Sequence, residues 1–134
     1  MLMEVLASYA NWAPLVLRLA LSIILIRHGW PKLFGNNPGL KGFAGWLGSI
    51  GFPFPIFWAL IVALLEVVGG TALALGFFTQ WIALLVAIQF AVIMLMVKMK
   101  QKFSEKEFDL IIFAAALALV ILGSGSISLD SLWL

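Results

Sequence analysis

Long apolar runs broken only by isolated charges constrain this chain more than any motif does. They occupy residues 12–30, 54–78, 81–97 and 104–123. A helix that crosses the hydrocarbon core of a bilayer needs about 20 mostly apolar residues, so each run has the length of a span. Composition agrees, with 64% hydrophobic and 10% charged residues, against roughly 25% charged in soluble domains. The expected fold is all-α: an integral membrane four-helix bundle, formed as a single domain over residues 1–134, with the lipid bilayer as its first partner. Four spans leave no room for a separate catalytic domain. The chain has no cysteine and one histidine, which excludes a dithiol relay, a thiolate nucleophile, an iron–sulfur cluster and a bis-histidine haem. No metal site and no intrinsic cofactor are expected. The net charge of +2 gives no support to nucleic-acid binding.

The connections are informative in their own right. Residues 31–53 form a long link for a helical hairpin. Within it Leu40, Phe43, Leu47 and Ile50 recur at helical spacing beside Gly42, Gly45 and Gly48. This pattern predicts a short interfacial or re-entrant helix between spans one and two, with the glycine stripe against another helix. Pro53 and Pro55 open the second span, as prolines can in a first helical turn. The short Thr79-Gln80 link predicts an antiparallel hairpin, and Ser104 with Glu107 forms a capping-box pattern. The N-terminal run carries Glu4 ahead of it and ends in bulky residues, so it is expected to be a retained span and not a cleaved leader. Lys32, Lys41, Lys98, Lys100, Lys102 and Lys106 all fall on one side of a four-span chain. By the positive-inside rule those loops are cytoplasmic and both termini lie outside.

Charges within a span face an interior or a cavity and have partners. If Trp30 and Phe54 mark the same membrane face, Arg18 and Glu66 each lie 12 residues below it, or about 18 Å deep. A direct pair is then expected, either as an ion pair that fixes helix register or as the polar floor of a ligand pocket. Gly69 and Gly70 share the helix face of Glu66 and serve either close helix packing or ligand access. His28, near the end of the first span with Gly29 and Lys32, is a candidate proton relay or an ordinary interfacial residue. Glu107 and Asp109 lie near the His28 imidazole if the first and fourth spans touch, but the dipole of a first helical turn accounts for both without a ligand, and Gln89 is expected to be an interhelical hydrogen-bond partner. The tryptophans read as interfacial belts, Trp46 excepted. The candidate ligand-binding set is Arg18, His28, Trp46, Glu66, Gly69 and Gly70, in a pocket between spans one and two roofed by residues 42–46.

The strings Arg27-His28-Gly29-Trp30-Pro31-Lys32-Leu33-Phe34-Gly35, Gly42-Phe43-Ala44-Gly45-Trp46-Leu47 and Gly51-Phe52-Pro53-Phe54-Pro55 follow one another along the chain. Glu66-Val67-Val68-Gly69-Gly70, Leu75-Gly76-Phe77-Phe78-Thr79 and Ser128-Leu129-Asp130 complete the order. In this ordered set the chain resembles the DoxX family of small four-span membrane proteins. It departs from many relatives at Gln80, where they carry arginine. The resemblance implies a bundle in a prokaryotic inner membrane and an association with membrane redox chemistry, since some relatives are subunits of quinone-reducing thiosulfate oxidoreductases. It assigns no catalytic residue. Three functions are therefore ranked: an accessory subunit that helps an oxidoreductase partner bind or dock a quinone; a binding or transport protein for a small hydrophobic or anionic molecule, acting as a homo-oligomer; and an assembly module without a ligand.

Overall fold

The computed structural model describes residues 1–35, 39–97 and 103–133, with the side chains of 97 and 103–105 left aside. Lys98, Lys100 and Lys102 of the cation-rich connection and the side chain of Ser104 in the capping box lie outside the described residues. All regular structure among the described residues is helical. A short α1 (Leu2–Ser8) and a 3₁₀ turn lead into α2 (Ala13–Phe34), which places Pro14 in its first turn. After α3 (Gly39–Ser49), helix α4 (Pro55–Leu64) starts on Pro55, as the sequence predicts. A π-helical turn, Leu65–Gly69, carries α4 into α5 (Gly70–Leu75). Helix α6 (Thr79–Val92) also runs into a π turn, Ile93–Val97, and α7 (Phe103–Leu122) and a terminal α8 (Asp130–Trp133) follow.

Three helical stretches, Ala10–Phe34, Pro55–Leu75 and Thr79–Met96, are long and apolar enough to cross a membrane. Helix α7 packs along α6 but opens with Glu105, Lys106, Glu107 and Asp109, so its apolar part is shorter. The buried faces follow the helical period: Leu21 and Leu25 on α2, Leu73 on α5, Ala83, Val86, Ala87 and Phe90 on α6, and Ile112, Ala116 and Leu119 on α7 form one core. The outer surface stays apolar, with Ile23, Ile111 and Ile121 exposed, as lipid contact requires. Helix α3 packs on α4 and α2, and Ala44 and Leu47 meet Ala59 in a second, smaller core. Gly45 and Gly48 of its glycine stripe do not mediate that packing: a Cβ on Gly45 would meet nothing within 4 Å, and one on Gly48 would make only an ordinary contact with Pro55.

The hairpin forms a few residues earlier than the sequence predicts. Helix α5 stops at Leu75, Gly76 turns with φ +70°, and Thr79 and Gln80 already belong to α6. Phe78 holds the left-handed region at φ 50°, which is costly for a residue with a Cβ. The carboxylate of Asp130 accepts hydrogen bonds from the N–H groups of Phe78 (2.7 Å) and Thr79 (2.9 Å), capping α6 from a distant part of the chain.

Candidate functional site: a polar-edged cavity at one end of α2

Arg18 and Glu66 do not meet. Arg18 is 1% exposed, and backbone carbonyls surround its guanidinium. Nε donates to Leu73 O (2.9 Å), Nη1 to Ser124 O (2.6 Å) and Ile127 O (2.8 Å), and Nη2 to Ala74 O (3.2 Å). Leu73 and Ala74 lie in the last turn of α5, where the dipole favours a cation; Leu73 O also accepts from the Gly76 N–H at 3.1 Å. The predicted pairing fails because the register differs. Helix α2 runs through Pro31 to Phe34, so Trp30 is not its end, and Gly29 lies opposite Glu66, where a Cβ would approach the Glu66 Cβ to 2.5 Å. The Arg18 guanidinium lies against Gly76 instead, ten residues beyond Glu66 in the sequence and about 15 Å along a helix.

The partner of Glu66 is Lys32, one turn beyond Gly29. Lys32 Nζ donates to both carboxylate oxygens, at 2.9 and 3.1 Å, and sits 4.6 Å from the centre of the Phe43 ring, within cation–π range. Gln89 Nε2 donates to Glu66 Oε1 at 2.9 Å, the interhelical bond the sequence predicts. Glu66 itself is 2% exposed and belongs to the π turn, a distortion that recurs at functional sites.

This cluster forms one edge of a half-open cavity of about 780 Å³ bordered by α2, α3, α4, the two π turns, α6 and α7. The volume is that of a small-molecule site. Its walls are chiefly apolar and aromatic, with Phe43, Trp46, Phe52 and Trp58 on one side and Leu85 and Ile88 on another. The polar groups bordering it are His28, Lys32, Glu66, Gln89 and Asp109. Of the predicted set, the structure brings His28, Trp46 and Glu66 to the cavity, with Phe43 of the predicted roof segment. Arg18 lies away from it. Gly69 and Gly70 do not line it either: a Cβ on Gly70 would approach Ile26 to 2.9 Å and Leu25 to 3.3 Å, and one on Gly69 would approach Ile82 to 3.2 Å, so both let helices close on one another.

Lys32 and Asp109 border the cavity too; the sequence groups Lys32 with His28 and brings Asp109 near it if α2 and α7 touch, but neither belongs to the candidate ligand-binding set. Asp109 is buried, at 3% exposure, and borders the cavity, although the dipole of a first turn accounted for it. His28 packs its ring on Phe108 with centroids 5.4 Å apart, so α2 and α7 do touch here. The available signal for Lys32 was spacing: Arg18, Leu21, Ser22, Leu25 and Gly29 are the buried stripe of α2, and Lys32 extends that stripe by one turn. Among the described residues, no group of three or more His, Cys, Asp or Glu side chains could hold a metal ion.

Membrane-length helices, an apolar exterior and a half-open cavity edged by the Lys32–Glu66 ion pair define a small helical membrane protein. The chain belongs to the DoxX family, whose sequence profile matches residues 13–99. It is 32% identical over 117 residues to a protein of Bacillus subtilis (strain 168) named "Putative oxidoreductase CatD", covering 87% of this chain and 83% of that one. It is also 35% identical over 71 residues to "Inner membrane protein YphA" of Escherichia coli (strain K12), covering 53% of this chain and 48% of that protein. No solved structure matches it.

Proposed function

We propose that this protein is a membrane subunit that binds or docks a quinone for an oxidoreductase, with the electron-carrying centre on a partner subunit. The observation that carries the reading is the aromatic-walled cavity with the Lys32–Glu66–Gln89 cluster on its edge. A quinone needs an apolar slot for its ring and tail and a few fixed polar groups for its oxygens. Lys32 has three N–H donors and directs two bonds to Glu66, so a third can reach a ring oxygen. The oxidoreductase name of the Bacillus relative supports a redox setting. Both cations that an anionic ligand would use are engaged, Arg18 by carbonyls and Lys32 by Glu66, which disfavours that alternative.

In this reading α7 is the fourth span of a bundle that forms one domain and sits in a prokaryotic inner membrane. Its charged first turns lie at the cytoplasmic face with the lysine-bearing loops, α3 lies in the interface over the cavity, and both termini face outward. His28, Trp46 and Glu66 face the ligand, while Arg18, Gly69 and Gly70 hold the helices. A photoreactive quinone analogue should label cavity residues of the membrane-embedded chain, and Glu66→Gln should lower the labelling severalfold while Glu4→Gln leaves it unchanged. Equal labelling of all three proteins overturns the quinone reading.

A further inference from the structure

The hairpin of α4, α5 and α6 is closed at its turn and splayed at its other end. Near the turn Gly69 lets Ile82 approach, since a Cβ there would come within 3.2 Å of that side chain. Further along, α6 packs on α7, on α5 and on the π turn Leu65–Gly69, but makes little contact with α4. The gap so left is part of the cavity, with Ile61 of α4 and Leu85, Ile88 and Val92 of α6 on its walls. Ile61 and Ile88 also form its rim. Phe57 and Leu64, on the same face of α4 as Ile61, are exposed, as are Trp81 and Leu84 on the face of α6 that carries Ile88. None of these four lines the cavity. The cavity wall therefore passes into the outer surface of the protein at the two isoleucines.

Ile61 lies six residues after Pro55 and Ile88 eight residues before Met96, the ends of two membrane-length stretches, or about 9 and 12 Å along the helices. In a hydrocarbon core about 30 Å thick this mouth faces acyl chains and not water. The side chains around it are aliphatic, whereas the charged pair Lys32–Glu66 belongs to another wall, formed by α2 and the π turn. We propose that the ligand's alkyl or isoprenoid tail lies in the gap between α4 and α6 and passes between Ile61 and Ile88 into the bilayer, while its ring is held at the Lys32–Glu66 edge. This inference rests on the quinone reading above and adds the seat of the tail, which narrows the ligand class to molecules with a polar ring and a chain long enough to reach the mouth. A chain placed in this way keeps its methylenes in apolar surroundings over their whole length.

The test compares two ligands on the full-length, detergent-solubilised protein: a tritiated benzoquinone with a decyl chain, and the same ring with a methyl group in place of the chain, measured by its displacement of the first. Partition into micelles is the same for every variant, so differences between variants report the protein. Ile61 and Ile88 are 43% and 53% exposed, positions where added bulk leaves the core in place. An Ile61→Trp, Ile88→Trp double variant should bind the decyl ligand about tenfold more weakly, the worth of about two buried methylenes, and the methyl ligand within about twofold of wild type. Each single substitution should give an intermediate loss. Leu84→Trp adds similar bulk to α6 outside the mouth and should leave both ligands unchanged. Unaltered decyl binding in the double variant overturns the inference, because the chain then leaves by another way. An equal loss for both ligands overturns it too, because the ring and not the chain then fills the mouth, and so does a loss in Leu84→Trp as large as that of the double variant; in these cases the quinone site still stands. If the decyl ligand does not bind the wild type, the quinone reading itself fails, and the inference with it.

Discussion

At the Ala13 end of α2 the Arg18 guanidinium is held by four backbone carbonyls, whereas at the Phe34 end Lys32 and Gln89 hold the Glu66 carboxylate beside open volume. Both ends bury a charge against the same helix, and they do so with different kinds of partner. Carbonyls at a helix terminus are fixed by the backbone and cannot exchange for a ligand. Side chains at a cavity edge can rotate. Burial of a charge does not by itself distinguish a structural residue from a site residue in a membrane helix; the mobility of its partners and the space beside them do.

The most damaging way to break the comparison is at the closed end. Arg18→Met should destabilise the protein by about 3–5 kcal/mol, because four carbonyls lose a charged donor in a poorly hydrated place. Thermal unfolding in detergent measures this. Arg18→Lys should recover little, since a point charge cannot span the four positions that the planar guanidinium fork reaches. Full recovery by lysine would mean that charge alone, and not the bonding pattern, holds this end.

At the open end the expected cost is smaller. Glu66→Gln should lose about 1–3 kcal/mol, moderated because the Lys32 side chain is 23% exposed and can hydrate when its partner is gone. A Lys32→Met, Glu66→Gln double variant should lose clearly less than the sum of its singles, since the two residues touch. An Arg18→Met, Glu66→Gln double variant should lose the sum, because residues with no shared partner act independently. Coupling between Arg18 and Glu66 in that cycle would contradict the separation of the two ends. The smallest effect belongs to the carboxylate that caps α6 at the closed end. Asp130→Asn should cost about 1 kcal/mol through loss of one of the two charged acceptor positions, read by the same unfolding measurement, and it should leave ligand binding at the open end unchanged.

How much of this was legible follows from what each residue depends on. The apolar runs, the start of α4 at Pro55 and the Gln89 bond depend on local pattern or on the scarcity of polar residues in a span, and these were readable. The pairing of Arg18 was not, because depth was counted from Trp30 and Phe54 as if both marked one plane. A proline disfavours helix in the residue before it, yet α2 continues through Pro31 where Gly29 packs on Glu66 and Lys32 pairs with it. That tertiary contact moves the register by three turns, and nothing in residues 12–35 alone reports it. Asp130 was quoted only within a resemblance, since a cap delivered from 51 or 52 residues away has no local signature. Asp109 had a sufficient local explanation in the helix dipole, which outranked the approach to His28 that contact between α2 and α7 brings.

The acceptors of Arg18 also impose an order on how the protein is made. Ser124 and Ile127 lie 106 and 109 residues after it in the chain. During synthesis α2 enters the bilayer carrying a guanidinium whose partners on α5 come later and whose partners beyond α7 come later still. Until the ribosome has passed Ile127, that end of the molecule cannot close, and a nascent chain stalled earlier carries an incompletely bonded cation in the membrane, the kind of defect by which a quality-control protease can distinguish an unfinished product from a finished one.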